Sequence, residues 1–337
     1  MKPCAASPLV IVLITVLAWS AAAASAGPLL DRIKERRASQ TEGRAAERGG
    51  AASAEQSLED PYNTDKGSTT GAGGKVLRDV PYGSDPKQRM DVYLPAQTQA
   101  SGPAPVIFMV HGGGWRTGDK RMGRVVDNKT ARWLPKGFVF VSVNNRLLPE
   151  ADPLDQVADV AQALAVAQGQ ASRWGADPQQ FILMGHSAGA HLVALLAASP
   201  TLGNLAGAQP WLGTVALDSA ALDIAPIMQR KHYKLYDPAF GTDPAFWKAA
   251  SPLQQLHAGA KPLLAVCSSR REESCDQAQG FAAHAVRVGV RVQVLPQDLS
   301  HGDINEQLGL PGPYTQAVEG FLASLSAPVA SRLQLGR

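Results

Sequence analysis

The stretch FILMGHSAGAHLV, residues 181–193, places one serine between two glycines where two local patterns meet. FILM is an unbroken apolar run of strand length, and AHLVALLAA is a helix-forming run. Gly185-His186-Ser187-Ala188-Gly189 is thus G-x-S-x-G on a strand-to-helix turn. Such a turn lifts the Ser187 hydroxyl clear of the backbone. The glycines remove side chains that would collide with the flanking strand and helix. The helix that follows aims its N-terminus at the hydroxyl and favours negative charge there.

Outward from this corner, strands alternate with helices. KVLRDVPYG and QRMDVYLPA predict an antiparallel hairpin turning through Tyr82–Pro86. APVIFMVHGGGW and FVFVSVNNRLLP are apolar runs suited to strands buried on both faces. PLDQVADVAQALAVAQGQASRWG carries helical periodicity up to Gly175. WLGTVALDS, KPLLAVCSS and VRVQVLPQ predict further strands, with helices over about 274–288 and 314–326. This order implies an α/β fold, a mostly parallel central sheet with helices on both faces and an N-terminal antiparallel hairpin. Residues 75–327 would form the catalytic domain and 328–337 a tail. The aromatic- and proline-rich segment 220–256 reads as an insertion that shapes a pocket over the sheet's C-terminal edge.

The N-terminal region has a different character. Lys2, an apolar run over 8–19 and Ala24-Ser25-Ala26 match a cleavable signal peptide, 1–26, which implies a periplasmic or secreted protein with no stable membrane span after cleavage. Residues 27–74 are rich in Ala, Gly, Ser, Arg and Glu and read as a flexible leader. Of three cysteines, Cys4 falls in the signal. Cys267 and Cys275 remain, either as a short disulfide loop, which export permits, or as two thiols. The 337 residues are 45% hydrophobic and 18% charged, with a net charge of +3, an ordinary globular balance. No basic block interleaved with aromatics suggests nucleic acid, no metal-ligand spacing is present, and no nucleotide motif implies a cofactor.

A nucleophilic serine needs a base, an orienting acid and donors for an oxyanion. His111-Gly112-Gly113-Gly114-Trp115 ends an earlier strand, so Gly113 and Gly114, with the Ala188 N–H, are candidates for the oxyanion hole. The base is expected after the last strand, where His301 in QDLSHGDIN is the histidine available. The acid is expected after the preceding strand. The loop there offers Glu273 first and Glu272 second, with Asp218, after WLGTVALD, as the outside candidate. A Cys267–Cys275 bridge would clamp that loop.

YGSDPKQRMDVYLP, HGGGW, NNRLLPEADPLDQVADV, GHSAGAHL and SHGDIN together resemble the α/β-hydrolase serine esterases of the hormone-sensitive-lipase-like branch. That group also holds acetyl-xylan- or feruloyl-esterase-like proteins and arylformamidases. The resemblance covers about 75–327. It implies an exported serine hydrolase that cleaves short-chain or aryl carboxylic esters, small molecules, through an acyl-enzyme on Ser187 with His301 as base. An arylformamidase-like amidohydrolase, or a catalytically weak envelope-associated protein of this fold, is the alternative. CSSRREESC departs from the G-x-x-D pattern usual in the acid loop.

Overall fold

The structure, a computed structural model, describes residues 74–96 and 102–334. The expected signal peptide and nearly all of the expected leader lie outside the described residues. An eight-stranded sheet organises the rest, in the order β1-β2-β4-β3-β5-β6-β7-β8. β1 (Val76–Pro81) and β2 (Arg89–Tyr93) form the antiparallel hairpin, and β2 joins β4 antiparallel. All later pairings are parallel, through β3 (Ala104–Val110), β4 (Val139–Val143), β5 (Ala176–His186), β6 (Gly213–Leu217), β7 (Leu263–Ser268) and β8 (Val292–Gln297).

Helices cover both faces because the central strands are apolar on both. Along β3, Val106, Phe108 and Val110 face one core and Ile107 and Met109 the other. The second core also receives α1 (Gly123–Trp133), a helix not among the expected elements, which buries Val125, Val126 and Trp133 on one face. The first core is filled by α2 (Pro153–Gln170) and α3 (Ala188–Ala198). Asp152 caps α2 by accepting from the N–H groups of Leu154 and Asp155, and a 3-10 turn carries the chain on to Gly175 at φ 69°. Every residue of α3 is buried. It is the helix that the G-x-S-x-G turn launches.

α4 (Pro200–Ala206) leads to β6. The segment 220–256, read above as an insertion, holds four short helices, α5 (Ile224–Met228), α6 (Asp237–Phe240), α7 (Pro244–Ala250) and α8 (Pro252–Gln255). α9 (Glu272–Arg287) links β7 to β8, and α10 (His301–Glu306), α11 (Pro313–Ala323) and α12 (Ala327–Gln334) follow. The last helix corrects the tail expected from 328. Val329 and Leu333 are buried in the second core, and Arg332 donates to the carbonyls of Gly102, Pro103 and Gly137.

Among the described residues, no helix is long and apolar enough to cross a membrane.

Candidate active site

At the end of β5, Ser187 takes φ 56° and ψ −117°, a conformation costly for a residue with a Cβ. Close packing holds it there. A Cβ on Gly185 would overlap the Gly189 carbonyl, and one on Gly189 would overlap the carbonyls of Val110 and His111. Strand and helix can meet at this angle only with glycine on either side of the serine. The Ser187 N–H donates to the Leu217 carbonyl on β6 (2.9 Å), so the elbow is tied to the neighbouring strand end.

The first residue past β6 is Asp218, fully buried and at φ 55°. His301 Nδ1 lies 2.6 Å from Asp218 Oδ2. This corrects the order of the acid candidates, because the outside candidate Asp218 meets the imidazole and Glu273 and Glu272 do not. α9 begins at Glu272, so both glutamates fall in its first turn, where carboxylates favour the unpaired N–H groups. Glu272 is exposed, and Glu273 turns to Arg271 Nε at 3.5 Å.

The loop after β7 instead supplies the socket around the acid. Ser268 N–H (2.7 Å) and Ser274 Oγ (2.5 Å) donate to Asp218 Oδ1, and Arg271 Nη1 (2.6 Å) donates to Oδ2. Cys267 and Cys275 are joined as a disulfide and close this loop at both ends. Burial alone would raise the Asp218 pKa. The hydrogen bonds from His301 and Ser274, the Arg271 charge and the Ser268 N–H outweigh it and hold the carboxyl well below its usual range.

Arg271 Nη1 also lies 2.7 Å from His301 Nδ1. An ionised carboxylate between two nitrogens takes a proton from each, so Nδ1–H donates to Oδ2 and Nε2 is left bare. The opposite tautomer would set a lone pair 2.6 Å from a charged oxygen. On the other side, the His186 ring packs 4.5 Å from that of His301, and its Nε2–H donates to the His301 carbonyl (2.9 Å). Burial and the neighbouring His301 push the His186 pKa well below the imidazole range, so this support stays neutral. Behind α10, Lys129 Nζ donates to the Asn305 carbonyl (2.6 Å), and burial lowers its pKa to about 7.

Ser187, Asp218, Arg271 and His301 line one cavity of about 480 Å³, together with Gly113, Gly114 and Ala188. Gly113 (φ 123°) and Gly114 (φ 59°) occupy the left-handed region, and a Cβ on Gly113 would overlap the Thr117 carbonyl. The insertion contributes Tyr233, Leu235 and Tyr236 as an aromatic and apolar wall. Tyr233 and Leu235 are 63% and 46% exposed, so the wall opens to solvent at the mouth. Among the described residues, no group of three or more His, Cys, Asp or Glu side chains could hold a metal ion.

His191, one helical turn after Ser187, ties the segment 220–256 to the glycine loop 111–115. Its Nδ1 accepts from Trp115 Nε1 (3.1 Å), and its Nε2–H donates to the Ala250 carbonyl (2.8 Å). Burial lowers its pKa from 6.5 to about 4. Above pH 6.5, folded and unfolded chains both hold this imidazole neutral. As the pH falls towards 4, the unfolded chain binds a proton that the folded chain refuses, and stability declines by up to about 3 kcal/mol. Thermal unfolding followed from pH 7 to pH 4 should show this loss, with a shallower decline in His191→Gln. Equal slopes would exclude His191 as its source.

The sheet order and the elbow define a protein of the α/β-hydrolase fold. Residues 90–210 match the BD-FAE family model. The chain is 34% identical over 120 residues to a probable isoprenylcysteine alpha-carbonyl methylesterase of rice, Oryza sativa subsp. japonica, covering 36% of this chain and 28% of that protein. It is 28% identical over 225 residues to Esterase LipQ of Mycobacterium tuberculosis, covering 61% of this chain and 51% of that protein. The chain thus spans about half or less of the length of these curated relatives. Among solved structures, a carbohydrate esterase from gut microbiota superposes with a TM-score of 0.65 at 19% identity, over 78% of this chain and all of that one. Esterase B of Lactobacillus rhamnosis gives 0.63 at 17%, over 91% and 97%. These structural likenesses carry the fold.

Proposed function

We propose that the protein is a serine hydrolase of carboxylic esters. The observation that carries this reading is His301, oriented by Asp218, lining one cavity with the strained Ser187. His301 Nε2 takes the Ser187 hydroxyl proton as Oγ bonds to the ester carbon. The Gly113, Gly114 and Ala188 N–H groups stabilise the oxyanion. The carbon–oxygen bond to the alcohol then breaks, and the leaving oxygen takes the proton from Nε2. Water attacks the acyl-enzyme, gives its proton to Nε2, and the acid product leaves as the serine is restored.

The esterase names of the relatives and the BD-FAE match support this reaction class. The apolar wall of Tyr233, Leu235 and Tyr236 favours short-chain or aryl esters. The signal-like N-terminus and the Cys267–Cys275 bridge fit an exported enzyme working in an oxidising compartment. A fluorophosphonate probe tests the reading directly. It should label the wild-type chain on Ser187, as peptide mass mapping will locate, and ester substrate should slow the labelling. A probe that leaves Ser187 unmodified would reject the serine mechanism.

A further inference from the structure

The loop in which an acid was expected carries a cation instead, and that cation touches both the acid and the base. Arg271 Nη1 is 2.6 Å from Asp218 Oδ2 and 2.7 Å from His301 Nδ1, while Nδ1 and Oδ2 are themselves 2.6 Å apart. Three heavy atoms therefore form a closed triangle around one carboxylate oxygen. We propose that Arg271 is a positioning residue of the triad, which shares Oδ2 with the imidazole, locks the plane of both groups and opposes the gain of a second proton by His301. The inference rests on the hydrolase reading for its consequence in turnover, but the coupling between the two side chains can be measured without turnover.

Arg271 cannot withdraw easily. Its N–H donates to the Ser268 carbonyl (3.0 Å) and its own carbonyl accepts from the Ser274 N–H (3.0 Å). Both neighbours also hold Asp218, and the disulfide closes the loop outside them. The guanidinium is three-quarters buried, which weakens solvent screening of its charge.

The other charged and titratable groups around the imidazole come from each element packed there. Asp218 at the end of β6 favours the imidazolium, and His186 at the end of β5 is held neutral. Glu273 of α9 offsets part of the Arg271 charge at 3.5 Å, and Tyr236 of the insertion lies within its field. Asp303 of α10 turns to Ser300, the Arg270–Asp298 pair is exposed, and Lys129 of α1 acts from behind His186. Of the cations among these, Arg271 is the one in contact with the imidazole. Protonating the imidazole would add a second positive charge to a ring already 2.7 Å from the guanidinium, and the contact opposes that. A residue that only stabilised the loop would not move the pH profile.

The test compares wild type, Arg271→Met and Arg271→Lys. In Arg271→Met the acid limb of the kcat/KM–pH profile should move up by about one pH unit, the size expected for a neighbouring charge. Arg271→Lys restores a cation and should bring the limb back towards wild type. The same comparison in the Ser187→Ala background, by NMR titration of the His301 ring, reads the coupling with no substrate present, and Arg271→Gln serves if the methionine variant does not fold. Coincident midpoints with and without the cation would overturn the proposal. Absence of ester turnover and of fluorophosphonate labelling, with the ring midpoint still moved, would instead reject the hydrolase reading alone.

Discussion

Ser187→Ala should lower ester turnover by about 10⁶-fold, the loss typical when the nucleophile of a serine triad is removed. Alanine keeps the Cβ, so the strain at φ 56° and the packing of Gly185 against Gly189 are unchanged, and the melting temperature should stay near that of the wild type. What disappears is the oxygen that forms the acyl bond. The Gly113, Gly114 and Ala188 N–H groups proposed for the oxyanion remain, so a small residual rate above the uncatalysed one should persist. The measurement is kcat/KM on p-nitrophenyl acetate and butyrate, with the unfolding curve recorded beside it. Wild-type-like hydrolysis from a folded Ser187→Ala protein would remove the serine from the mechanism.

Asp218→Asn should cost about 10⁴-fold in kcat, because an amide can hold the imidazole in the wrong tautomer. Glu273→Gln and Glu272→Gln should stay within a few-fold of wild type, since neither carboxylate reaches His301. The contrast is set by the tie between Ser187 and Leu217, which fixes the start of Asp218 beside the nucleophile. It is set equally by the loop Cys267–Cys275, whose Ser268, Arg271 and Ser274 supply three of the four donors described for the carboxylate. Asp218→Asn also leaves the Arg271 guanidinium without its charged partner, so some loss of stability is expected with the loss of rate. Steady-state kinetics of the three variants decide the matter. A large loss in Glu273→Gln with Asp218→Asn near wild type would return the acid to the β7 loop.

These two expectations differ in how much of their basis the linear chain carried. The corner that presents Ser187 was legible because its requirements are local, an apolar strand, two glycines and a helix within one short stretch. The placement of His301 beside the serine's cavity was legible from chain order, since it follows the last strand. The carboxylate partner of His301 was not, because Asp218 and Glu273 come in the segments that follow adjacent parallel strands, β6 and β7, and either segment could face a ring delivered after β8. The signal available in the sequence was that Asp218 directly ends an apolar strand, whereas Glu272 and Glu273 stand where a helix begins. Arg271 and His186 left no motif of their own, since each acts through a contact with a residue distant in sequence. The helix Gly123–Trp133 carries few apolar residues, but Val125, Val126 and Trp133 fall on one face, and that spacing was the signal available for it.

The sequence by itself determined the alternation of strands and helices, the glycine corner that presents Ser187 and the glycine loop that faces it. Each of these is a matter of periodicity or of backbone freedom over a few neighbours. Tertiary structure alone decided which carboxylate holds His301 and that a guanidinium shares it. Those choices depend on distances between strand ends, where one hydrogen bond within reach outweighs any preference written along the chain.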